Sequence, residues 1–169
     1  MTKTPKALYA QADPGSGGVA WTLDDKLPVK KNDKKTINFP KNSGEYAVTV
    51  NLIDNTGTGI VFKQADPIWV QVDGCCPPGQ GVNSTEIQDI QAGTSTLQFT
   101  NTNQVAGKLI YQLNFVDSAG VDISPQLDPE FKNGGTGGRP TAALIITGVV
   151  VATALVVVLA LNSMDKLGQ

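Results

Sequence analysis

An uninterrupted apolar run from Thr141 to Leu161 constrains this chain more than any other feature. The run, TAALIITGVVVATALVVVLAL, has 21 residues and no charge. At ~1.5 Å per residue it makes a helix of about 31 Å, which matches the hydrocarbon thickness of a bilayer. Its four Leu, two Ile and six Val each favour insertion. A core helix of a globular domain rarely stays apolar on every face for this length. The expectation is a single transmembrane helix over 141–161, followed by a short polar tail over 162–169.

The N-terminal stretch MTKTPKALYAQADPGSGG holds no apolar core of the kind a secretory signal needs. The expected arrangement is therefore tail-anchored and single-pass, with the large N-terminal domain on the cytoplasmic side. Lys132 and Arg139 before the span, against Lys166 beside Asp165 after it, agree with that orientation. Residues 1–133 are enough for one domain with its own core. Gly134, Gly135, Gly137 and Gly138 make 134–140 a glycine-rich hinge, and Pro140 suits the first turn of a helix.

Within 1–133 the dominant period is two. Tyr46, Val48, Val50 and Leu52 alternate with Ala47, Thr49 and Asn51, and Leu109, Tyr111, Leu113 and Phe115 alternate in the same way. Shorter runs are Val19 to Leu23, Thr36 to Phe39, Ile60 to Phe62, Ile68 to Val72, Thr85 to Ile90 and Thr96 to Thr100. Turn signals separate them at Asp13-Pro14-Gly15, Asn42-Ser43-Gly44, Asn55-Thr56-Gly57, Cys76-Pro77-Pro78-Gly79 and Ser118-Ala119-Gly120. No helical period extends over ten residues before the apolar run. About eight strands with frequent turns predict an all-β sandwich. Trp21, Trp69, Tyr46, Tyr111, Phe99 and Phe115 are its expected large core residues.

The chemistry-bearing residue types are sparse. There is no histidine, so the commonest general base and every Ser-His or Cys-His dyad are excluded. No P-loop or dinucleotide fingerprint occurs. Cys75 and Cys76 are adjacent, a geometry poor for a mutual disulfide, and two thiolates alone do not close a tetrahedral zinc site. Asn83-Ser84-Thr85 matches a glycosylation acceptor and, with no secretory route expected, reads as a coincidence. Asp117, Asp122, Asp128 and Glu130 follow no calcium-loop spacing and read as surface carboxylates. The expectation is a non-enzyme with no catalytic residue, metal or cofactor.

Two features suggest surfaces instead. Lys26, Lys30, Lys31, Lys34 and Lys35 crowd into ten positions, a patch suited to an anionic surface, although Asp24, Asp25 and Asp33 are interleaved. With a net charge of −2 and no aromatic platform in the patch, nucleic acid is not an expected partner. In the apolar run, Ala143 and Thr147, and Gly148 and Ala152, are each four apart, placing small residues on one stripe where another transmembrane helix can pack closely.

The strand layout from Tyr46 to Gly135 resembles an immunoglobulin-like sandwich. The run Leu-Ile-Tyr-Gln-Leu-Asn-Phe-Val-Asp, followed by Asp128-Pro129 and Asn133-Gly134-Gly135, is also similar to small uncharacterised bacterial β-domains ending in a DP…NGG segment. The resemblance spans just over half the chain and implies a fold, not an activity. The Cys–Trp–Cys pattern of antibody domains is absent from the sequence. The expected function is a non-catalytic, single-span accessory subunit of a larger membrane complex, of photosynthetic, respiratory or secretion type. Its partners are the bilayer and the transmembrane helices of that complex, with no small-molecule substrate. The alternative is a virion protein tethering an internal membrane to a capsid.

Overall fold

The computed structural model describes residues 2–30, 36–72, 78–125 and 129–135, all within a unit that ends at Gly138. The expected transmembrane helix, with Ala143, Thr147, Gly148 and Ala152, lies outside the described residues, as do Cys75, Cys76, Lys31, Lys34 and Lys35. Among the described residues no helix is long and apolar enough to cross a membrane.

The described chain is all β. Its strands are β1 (Thr4–Gly15), β2 (Gly18–Asp24), β3 (Thr36–Phe39), β4 (Tyr46–Asp54), β5 (Val61–Phe62) and β6 (Ile68–Val72). They continue with β7 (Val82–Asn83), β8 (Ile87–Ala92), β9 (Thr96–Asn101), β10 (Gly107–Leu113), β11 (Phe115–Val116) and β12 (Glu130–Asn133). One sheet runs β2-β1-β4-β9-β8 and the other β3-β12-β10-β6-β7, with β11 and β5 forming a separate pair. The two five-stranded sheets bury one face each in a common core, as in a β-sandwich.

Alternation decides which face turns inward. Tyr46, Val48 and Val50 are buried with Leu52 packed against them, while Ala47 points outward. From the opposite sheet Leu109, Tyr111 and Leu113 are buried, continued by Phe115. Aromatic rings bridge the layers. Phe39 of β3 meets Tyr46 of β4 edge-on at 4.9 Å, and Phe99 of β9 meets Phe131 of β12 at 5.8 Å. Phe131 also stacks on Tyr111 at 3.8 Å. Contacts of this kind contribute roughly 0.5–1.5 kcal/mol beyond the area they bury.

The structure corrects several expectations. The longest strand, β1, is not among the expected runs, yet Leu8, Ala10 and Ala12 point into the core. Two of the three are alanines, so the alternation is weak in hydrophobicity although strict in direction. Asp13-Pro14-Gly15 is not a turn. It ends β1, and the reversal falls at Ser16-Gly17, between the paired Gly15 and Gly18. Pro14 is tolerated there because pairing with β4 stops at Ala12, so no ladder on that side needs its missing N–H.

Trp21 and Trp69 are only half-buried. Trp21 stacks on Phe115 at 4.3 Å, the Trp69 indole donates to Asp66, and both remain partly exposed. Their places in the core are taken by Phe39, Phe62 and Phe131.

Candidate functional site

The largest concentration of buried polar groups lies where β9 and β12, strands of opposite sheets, come to their ends. Asn101 closes β9 and Asn133 closes β12. Their side-chain amides pair reciprocally: Asn101 Nδ2 donates to Asn133 Oδ1 at 2.8 Å, and Asn133 Nδ2 donates to Asn101 Oδ1 at 3.0 Å. This pair ties the two sheets together by hydrogen bonds. Asn133 Nδ2 also donates to Glu86 Oε2 at 3.2 Å.

Glu86, just ahead of β8, is buried and carries no apolar function there. Its Oε2 accepts the backbone N–H of Gln104 at 2.8 Å and that of Val105 at 3.3 Å, while its own carbonyl accepts from Thr102 N. Burying a carboxylate is costly unless hydrogen bonds replace its hydration, and here three donors converge on one oxygen.

Asn103 extends the cluster. It adopts φ 48°, a left-handed conformation that asparagine tolerates better than most residues. Its N–H donates to Asn101 Oδ1 at 3.0 Å, its Nδ2 to Pro40 O at 2.9 Å, and its Oδ1 accepts Gly135 N at 3.3 Å. Asn101, Asn103, Asn133 and Glu86 are thus one buried network joining the 39–44 turn, the 101–105 loop and the C-terminal exit.

That network holds two glycines expected in the hinge. Gly134 N donates to Phe39 O at 2.8 Å, and Gly135 O accepts from Asn42 N at 2.8 Å. A Cβ on Gly134 would lie 2.3 Å from Lys41 N, and one on Gly135 2.6 Å from Ala106 N. Both positions exclude a side chain because backbone from another segment passes through that space.

Beside the network opens a groove of about 420 Å³, lined in part by Val72, Asn83, Thr85, Val105, Lys108 and Asn133. Val72 and Val105 are each about half exposed, at 50% and 47%. Glu86 and Asn133 contribute to its wall, with their hydrogen bonds already directed within the fold.

The expected site residues fall elsewhere. Lys26 and Lys30 are exposed on the loop after β2, whose path is set by Asp24: its Oδ1 accepts from Asp25 N and Lys26 N, and its Oδ2 from Lys30 N. The interleaved aspartates therefore shape the start of the basic loop. Asp25 also pairs with Lys6 at 3.0 Å.

The acidic set does not converge. Asp117 accepts from Ala119 N and Val121 N, Asp122 pairs with Lys63, and Glu130 pairs with Lys108. Asp128 lies outside the described residues. Among the described residues no group of three or more His, Cys, Asp or Glu is placed to hold a metal ion.

A second polar cluster, unforeseen in the sequence, sits on the outer face of the first sheet. Lys3 Nζ meets Asp89 Oδ2 at 3.1 Å and Thr100 Oγ1 at 2.8 Å, and Thr100 donates to the same Asp89 oxygen at 2.9 Å. The Thr100 hydroxyl and then Lys3 hold the Asp89 carboxyl below its ordinary range. Asp89 has φ 53° and interrupts the β8–β9 register, a bulge that leaves β8 poorly shaped for pairing with another strand.

No family model matches this chain, and no curated protein matches it in sequence.

Proposed function

We propose that this protein is a non-catalytic, single-span membrane subunit with an immunoglobulin-like domain, its helix packing against a larger complex and its sandwich bracing the cytoplasmic face. The observation that carries the reading is the 21-residue uncharged run Thr141–Leu161, long enough to span a bilayer. The stripe of Ala143, Thr147, Gly148 and Ala152 supports close helix packing.

Strand order supports the immunoglobulin-like part. Taking β4, β6, β8, β9, β10 and β12 as strands B to G, one sheet holds B-E-D and the other G-F-C. β3 lies parallel beside β12, and the β1–β2 hairpin extends the B-E-D sheet by two strands, an addition to the usual arrangement.

Membrane fractionation of cells carrying the full chain tests the reading: retention through alkaline carbonate washing is expected, and release into the wash would overturn insertion. Native electrophoresis in mild detergent tests the partner. Co-migration with a larger assembly is expected, with loss of it when Gly148→Leu and Ala152→Leu are combined. Migration as a free monomer would overturn the accessory role.

A further inference from the structure

We propose that Asn133 is a modification site: a deamidation-prone Asn-Gly pair that the fold keeps unreactive, and whose conversion to aspartate opens the C-terminal corner of the domain. The inference does not depend on whether residues 141–161 enter a membrane.

Asn133-Gly134 is the one Asn-Gly dipeptide in the chain. In such a pair the backbone nitrogen of glycine attacks the asparagine side-chain carbonyl with little steric hindrance. A bond forms between Gly134 N and Asn133 Cγ, the Cγ–Nδ2 bond breaks, and ammonia leaves with the proton lost from the nitrogen. Water then opens the resulting succinimide at either carbonyl, giving aspartate or isoaspartate. Nothing is oxidised or reduced, and water is the only co-reactant.

Every atom in that sequence is restrained here. The attacking nitrogen, Gly134 N, donates to Phe39 O at 2.8 Å. The leaving amide donates to both Asn101 Oδ1 and Glu86 Oε2, and its carbonyl oxygen accepts from Asn101 Nδ2. Asn133 is buried on the fourth residue of β12, paired with Phe39 on one side and Gly107 on the other. Turning Cγ toward Gly134 N therefore requires that the corner first open.

The labile pair is also one that the fold cannot easily give up. Asparagine is required because position 133 both donates and accepts within the amide pair. Glycine is required because any Cβ at 134 would strike the Lys41 backbone.

Conversion changes the corner in one direction. Aspartate at 133 loses both amide donors and sets a second carboxylate beside Glu86, so two like charges meet in a buried site. Isoaspartate adds a methylene to the backbone and breaks the β12 register. Either product favours release of 133–135 from the domain.

The test uses the full chain in mild detergent, held in mildly alkaline buffer with and without urea, with residue 133 followed by peptide mapping and mass spectrometry. Conversion in native buffer is expected to be slower by about tenfold or more than in urea; equal rates would overturn the proposal. Asn101→Ala is expected to raise the native rate about tenfold while leaving the urea rate unchanged. A folded N101A protein with an unchanged native rate would count against it. Should that variant not fold, hydrogen exchange of the wild-type Gly134 amide decides, since free exchange would remove the claimed protection. Asn133→Asp tests the consequence: amides 131–135 should lose protection while those of β4 keep theirs, and unchanged protection at 131–135 would overturn the opening.

Discussion

Asp54 and Glu86 each turn a carboxylate onto backbone N–H groups, Asp54 where the β4–β5 turn meets water and Glu86 where the two sheets close over it. Asp54 accepts from Thr56 N at 2.8 Å and from Gly59 N and Ile60 N at 3.1 Å. Glu86 accepts from Gln104 N, Val105 N and Asn133 Nδ2. Asp54 also accepts from the Thr56 hydroxyl, giving it four donors to Glu86's three; what separates the two is their surroundings. Around Asp54 water can replace a lost partner, so the bonds set the shape of a turn. Glu86 is buried, at 6% exposed, so water reaches its carboxylate far less readily, and the same kind of bond helps keep two sheets and the chain exit joined.

The strongest way to break the contrast is a residue that the corner cannot accommodate. Gly134→Ala should cost about 3 kcal/mol or more, because the new methyl meets backbone rather than a movable side chain. Urea unfolding of the full chain in detergent reads this directly, and a loss under 1 kcal/mol by the same principle would show that Lys41 yields.

Glu86→Ala follows, at about 2–4 kcal/mol, since it removes a buried carboxylate that accepts from the Gln104 and Val105 backbone and from the buried Asn133 amide. Asp54→Ala should cost only about 1 kcal/mol. If the two alanine variants unfolded at the same urea concentration, burial would not be what separates them.

Acid sharpens the comparison. Burial pushes the Asp54 carboxyl up, but bonds from Thr56, Ile60 and Gly59 together bring it below its ordinary range. A depressed carboxyl contributes stability that is present above that range and is lost as pH falls through the folded value. Asp54→Asn should therefore flatten the decline in stability below about pH 4, measured as the acid limb of a pH–stability curve.

The smallest effect expected is at Tyr111. Its hydroxyl is fully buried without a hydrogen-bond partner among the described residues, and burial, followed by the charge of Asp25, pushes its pKa well up. Tyr111→Phe removes that unsatisfied group and keeps the stack on Phe131, so stability should stay the same or rise by up to about 1 kcal/mol.

The same contrast explains what was legible in the sequence. β4 and β10 announced themselves because large apolar residues alternate with polar ones, and the turns at Asn42, Gly57 and Gly120 carry the positive φ that their residue types favour. β1 did not, because alanine is weakly apolar. β12 did not, because its four residues run directly into Gly134-Gly135 and look like the start of a tether.

The corner was beyond reach for a different reason. Glu86 meets Asn133 across 47 positions and Asn101 meets Asn133 across 32, and no local period encodes such a meeting. The signal that was present is compositional: Asn-Thr-Asn at 101–103 and Asn-Gly at 133–134, amide-bearing residues at strand ends. The basic patch was visible as composition, while the role of Asp24 in folding its first turn was not.

The place of β12 within its sheet carries a mechanical consequence. The chain leaves the domain from an interior strand, flanked by β3 running parallel and β10 running antiparallel. A pull directed along β12 from Gly135 loads both ladders in shear, with their bonds sharing the force, whereas the same pull on an edge hairpin would peel it bond by bond. Under tension from its C-terminal side the domain should hold rigidly and then give way in a single step, with rupture beginning at the residues that join β12 to Asn101 and Phe39.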